Sequence, residues 1–93
     1  MSEKVVEVRT VKIQNRMGLH ARPAAEFVKT AGQFEALVMV EKEGLEVNGK
    51  SIMGVLMLAA QQGSSLTIRG EGPDAPDAVD ALTALVDQKF GED

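Results

Sequence analysis

Gly18-Leu19-His20-Ala21-Arg22-Pro23-Ala24 opens with a turn glycine, passes through the only histidine of the chain, and ends in residues that start a helix. Beyond it Ala24, Phe27, Val28 and Ala31 recur at i, i+3, i+4 and i+7, one apolar stripe with Glu26 and Lys29 outside it. The spacing predicts a helix over residues 21–31, with Gly32 as its stop. A helix start exposes backbone N–H donors that lack intrahelical acceptors, so the imidazole lies where an anion is welcome. The proline biases Arg22 away from helical dihedrals and places it at the helix boundary, free to swing towards His20.

Working outward, residues 6–13 are rich in β-favouring types and predict a strand. Val6 and Val8 share one parity and Val11 and Ile13 the other, which an edge bulge or a strand start later than Val6 would explain, the later start being favoured. Residues 15–18 read as a loop. Residues 35–41 predict a second strand with Ala36, Val38 and Val40 towards the core, leaving Leu37 and Met39 on an unusually apolar second face. Glu43-Gly44 turns tightly into a short strand at 45–47. Ser51 is placed to cap a helix over residues 52–60 that Gly63 stops. Leu66 and Ile68 mark a fourth strand. Asp74 caps a last helix, which tolerates Pro76 in its first turn and buries Val79, Leu82, Leu85 and Val86. The order βαββαβα, in one domain over residues 1–93, is an α+β class: four antiparallel strands with the helices gathered on one face.

Composition narrows the function. At 93 residues and 44% hydrophobic, the chain supports one small core. It has no cysteine, which excludes disulfides and thiolate chemistry. No apolar run reaches membrane-spanning length and the start lacks a signal-peptide core, so the reading is a cytoplasmic protein without direct membrane contact. Residues 1–70 carry nine Lys/Arg against seven Asp/Glu, whereas residues 71–93 carry seven acids and only Lys89. That balance offers nucleic acid no basic footprint.

A neutral imidazole has a lone pair and is a competent nucleophile near neutral pH, and a helix N-terminus favours a bound dianion by roughly 0.3–1 kcal/mol per charge. Ala21 and Arg22 can offer backbone N–H groups, and the Arg22 guanidinium can grip phosphate oxygens in a planar, bidentate way. A metal site is disfavoured, with no second histidine and no cysteine. A hydrolase would need a nucleophile or positioned water beside the base, and no such elbow or phosphate loop is present. A small-molecule-sensing module lacks a ligand-binding Gly/Asp pattern. For an isolated histidine, the bland alternative is a capping residue with no chemistry.

At these residues the sequence resembles the HPr family, the histidine-containing phosphocarriers of the phosphoenolpyruvate:sugar phosphotransferase system. The likeness runs from about Val6 to Phe90 and includes a second block, Gly49-Lys50-Ser51-Ile52-Met53-Gly54-Val55. It implies an open-faced β-sandwich, a four-stranded antiparallel sheet covered on one face by three helices. It further implies that His20 accepts a phosphoryl group on Nδ1 from phosphorylated enzyme I and passes it to IIA proteins. Arg22 steadies the phosphate, no cofactor is needed, and the protein is a monomeric carrier, not an enzyme. Ser51 has a sufficient role as a helix cap, but its block looks like the one an HPr kinase/phosphorylase modifies. A purely signalling role for the same two residues is the alternative. The helix after Ser51 is apolar nearly all round, so Ile52, Met53 and Leu56 read as a docking patch, with Lys29 and Lys50 as flanking charges. Gly54 inside it reflects local mobility or close packing. Residues 1–5 extend beyond the usual family start and are expected to fray. The tail Gly91-Glu92-Asp93 is assigned no role.

Overall fold

The computed structural model describes residues 5–93. The first strand, β1 (Val6–Lys12), pairs antiparallel with Ser65–Glu71 along its whole length, from Val6 opposite Glu71 to Lys12 opposite Ser65. The strand therefore starts at Val6, not later, and the parity break has another cause. Val6 and Val8 lie on the open face of the sheet, 48% and 52% exposed. Glu7 and Arg9 take the helix side, where Arg9 pairs with Glu7 and with Asp80. An apolar–polar inversion at the strand's start thus reflects an ion pair over the sheet rim. Fraying of residues 1–4 lies outside the described residues, and Val5 is tied down by its carbonyl, which accepts the Gly72 N–H at 2.9 Å.

The remaining elements are α1 (Ala21–Ala31), β2 (Leu37–Lys42), β3 (Leu45–Asn48), α2 (Ile52–Met57), β4 (Ser65–Glu71), α3 (Ala75–Asp87) and a 3-10 turn at Lys89–Gly91. Strand order is β1-β4-β2-β3, every neighbouring pair antiparallel, with the helices on one face. This is the α+β open-faced sandwich expected. The core lies between that face and the helices, built from Ile13, Phe27, Val38, Val40, Val55, Leu66, Ile68, Val79, Leu82, Val86 and Phe90. In α1 the stripe Ala24, Phe27 and Ala31 is fully buried. Between β2 and β3, Glu43 and Gly44 both adopt positive φ, 50° and 88°, the pairing a two-residue hairpin turn requires.

One helix boundary differs from expectation, and one expected cap spends its side chain elsewhere. Helix α2 ends at Met57 instead of Ala60, because Ala59 takes φ 49° and turns the chain away. The turn lets the Ala60 carbonyl accept the Leu19 N–H at 2.9 Å, so a tertiary bond, and not Gly63, decides where α2 stops. Gly54 reflects close packing: a Cβ there would stand 3.3 Å from Val47 Cβ. Asp74 precedes α3 but makes no side-chain cap bond to it. Its carboxylate instead accepts the N–H groups of Glu35 and Ala36 at 2.9 and 2.8 Å, fastening the α1–β2 connection to the start of α3.

Gly18 occupies φ 68°, and a Cβ there would lie 2.5 Å from the Ala60 carbonyl oxygen. Gly63 shares the left-handed region but faces open space. Gly63→Ala is expected to cost about 1–2 kcal/mol of unfolding free energy, the left-handed penalty alone. Gly18→Ala adds a backbone clash and is expected to cost at least about 1 kcal/mol more in urea titration; equal losses would refute the contact. The Asp74 carboxyl is held below its ordinary range chiefly by the Glu35 N–H, with the Ala36 N–H adding. A depressed folded-state value stabilises the fold above the ordinary carboxylate range near about 3.9, and that contribution disappears as pH falls through the lowered value. Asp74→Asn should therefore flatten the acid limb of Tm against pH, with little further change as the wild type loses stability.

Candidate functional site

His20 is the residue that caps α1, with extended backbone (φ −76°, ψ −173°), and its carbonyl accepts the Ala24 N–H at 3.0 Å. Leu19 behind it is buried, which fixes where the helix begins. Arg22 lies inside the first turn of α1, not at its boundary; Pro23 follows as the third helical residue, where a missing N–H costs least. The N–H groups of Ala21 and Arg22 are the donors of this turn without an intrahelical acceptor. The imidazole is 37% exposed.

The ring does not stand alone. Its Nε2 lies 2.8 Å from Glu92 Oε1, and the Arg22 guanidinium donates from Nη1 to Glu92 Oε2 at 2.9 Å. Arg22 is also 3.7 Å from Glu26. Fully buried Asn15 donates from Nδ2 both to the Gly18 carbonyl at 2.8 Å and to Glu92 Oε1 at 2.9 Å. The hydrogen bond from His20, reinforced by those from Asn15 and Arg22, holds the Glu92 carboxyl below the usual carboxylate range. An ionised carboxylate only accepts, so Nε2 is the ring nitrogen that donates to Glu92, and in the neutral ring the lone pair is left on Nδ1.

Glu92 is brought there by an unusual tail. Lys89, Phe90 and Gly91 all have positive φ, 58°, 54° and 73°. Phe90 is anchored in the core, and the Arg16 N–H bonds the Asp93 carbonyl at 2.7 Å. The tail dismissed in the sequence is therefore part of the site. Neither Asn15 nor Glu92 carries a local signal: Glu92 stands 72 residues from His20, and no periodicity connects them.

The other expected residues spread along α2. Ser51 caps it by accepting the Gly54 N–H on Oγ at 3.1 Å. Ile52 and Met53 are exposed, 40% and 68%, while Leu56 is partly buried against the core. Met17 and Met57, which the sequence reading passed over, are equally open, 67% and 65%. Lys29 is exposed on α1. Lys50 is not a free charge; its ammonium donates to the Phe34 carbonyl at 2.7 Å. The concavity between the β2–β3 hairpin and residues 61–65 contains none of these groups.

Over residues 8–88 the chain matches the family described as PTS HPr component phosphorylation site. The phosphocarrier protein HPr of Cupriavidus necator is 48% identical over 84 residues, 90% of this chain and 94% of that protein. The crystal structure of HPr-C-His from Thermoanaerobacter tengcongensis has a TM-score of 0.90 and 46% identity, covering 94% of this chain and 98% of its own. The Bacillus subtilis catabolite repression protein Crh, crystallised as a dimer with a swapped domain, is 42% identical with a TM-score of 0.73, covering 85% and 91%. With the capped, half-exposed histidine and the four-stranded sheet beneath it, these findings agree on one conclusion: the chain belongs to the HPr family, the phosphocarrier proteins of the phosphotransferase system.

Proposed function

We propose that His20 accepts a phosphoryl group from phosphorylated enzyme I and hands it to sugar-specific IIA proteins. The observation that carries this reading is the half-exposed imidazole at the α1 N-terminus, with the Arg22 guanidinium sharing its carboxylate partner. A phosphoryl group on the ring meets the dipole's positive end, the Ala21 and Arg22 N–H groups, and a cation able to trade Glu92 for phosphate oxygens. These groups suffice to hold the phosphate without a metal or cofactor. The reading is of a monomeric carrier of the cytoplasm, passing phosphate on and turning over no substrate by itself.

Partners dock on the apolar surface beside the site, where Met17, Ile52, Met53 and Met57 offer flexible, adaptable contacts. Leu56 contributes less, since it also packs inward, and Lys29 supplies a rim charge. Ser51 is the regulatory acceptor for an HPr kinase/phosphorylase. A phosphate at the start of α2 suits the helix dipole and leaves the fold intact, while setting negative charge next to Ile52 and Met53. The similarity to Crh favours, as a second reading, a regulatory role for the same surface without sugar uptake.

Incubation with phosphoenolpyruvate and enzyme I should label the protein with an acid-labile, base-stable adduct, and a IIA protein should discharge it. His20→Ala should abolish the label with a stability change within about 1 kcal/mol, and Arg22→Ala should slow transfer. With ATP and the kinase, Ser51→Ala should remove a separate, acid-stable adduct. A wild-type protein that takes no label from enzyme I sinks the carrier reading; label that no IIA protein removes selects the regulatory one.

A further inference from the structure

We infer that Glu92, held by Asn15 and by the strained tail, is a positioning residue for phosphoryl transfer: it keeps the His20 proton on Nε2 so that Nδ1 is the nucleophile. The inference rests on the carrier reading and deepens it. Three observations converge on that carboxylate. Its Oε1 takes Nε2 of His20 at 2.8 Å and Nδ2 of Asn15 at 2.9 Å, so one oxygen is fixed from two sides. Asn15 is fully buried and its second Nδ2 hydrogen is spent on the Gly18 carbonyl, which leaves the amide no freedom to rotate away. The tail holds non-glycine residues Lys89 and Phe90 at φ 58° and 54°, a conformation that costs about 1–2 kcal/mol each. Such strain persists only where the surroundings over-determine it, here through the buried Phe90 ring and the Arg16–Asp93 backbone bond.

The consequence for the step follows from charge and proton balance. The Nδ1 lone pair forms the new N–P bond while the donor's bond to phosphorus breaks and its electron pair stays with the donor. In the neutral ring whose one proton is on Nε2, no proton has to leave Nδ1. The ring gains positive charge as the N–P bond forms, and that charge faces the Glu92 carboxylate through the Nε2–H bond. An orienting carboxylate that fixes a histidine tautomer and answers the developing imidazolium is well precedented physics. On handing the group on, the same proton stays in place and the ring returns to its neutral form. Arg22 is free to leave Oε2 for the phosphate while Oε1 keeps the ring.

The test compares wild type, Glu92→Ala and Glu92→Gln, each first shown to be folded by its amide spectrum. Nitrogen-15 spectra of the neutral His20 ring should show only the Nε2–H form in wild type and a mixture in Glu92→Ala. The initial rate of labelling by enzyme I and phosphoenolpyruvate should fall about tenfold in Glu92→Ala, the effect of one lost charge-assisted hydrogen bond. Glu92→Gln, whose amide oxygen can still accept from Nε2, should restore the single tautomer and most of the rate. Wild-type tautomer and rate in Glu92→Ala would overturn the inference while leaving the carrier reading intact. Absence of label in all three proteins would instead overturn the carrier reading.

Discussion

The start of α1 is the constraint on which the rest depends. Leu19 bonds Ala60, the Gly18 carbonyl takes Asn15, and the His20 carbonyl takes Ala24, so three successive residues are each fixed by a partner, two of them local and one from just past the end of α2. A helix that began one residue earlier or later would rotate the imidazole by about 100° around the helix axis, away from Arg22 and Glu92. Packing of Leu19 and Ala24 into the core thus does more than stabilise the sandwich: it aims a side chain that itself stays half in water.

Why these contacts are compatible is visible in the connections. The loop after α2 must turn out of the helix early, at Ala59, for Ala60 to reach Leu19. On the helix so ended, Ile52, Met53 and Met57 are exposed. One backbone bond therefore links the placement of the histidine to the end of α2.

Much of this was legible in the sequence where the signal is local. The bounds of α1, the Glu43-Gly44 hairpin and the Ser51 cap follow from periodicity and turn chemistry within a few residues. The order of elements suggested an antiparallel sheet with helices on one side. What escaped has non-local causes. The end of α2 is set by a tertiary hydrogen bond. Asp74 gives its carboxylate to Glu35 and Ala36, 39 and 38 residues away, and not to the helix it precedes. The start of β1 was obscured by Arg9 turning inward to meet Asp80. Glu92 was the largest omission, because an acidic residue near a chain end carries no pattern; only the buried Phe90 beside it hints that the tail is anchored.

The central claim is that one nitrogen of His20 is offered to phosphorus while the other is occupied. The most direct measurement is the one-bond coupling between phosphorus-31 and the ring nitrogens in the phosphorylated, nitrogen-15-labelled protein. The account predicts phosphorus on Nδ1, with the proton still on Nε2. Phosphorus bonded to Nε2, or to any residue other than His20, contradicts it.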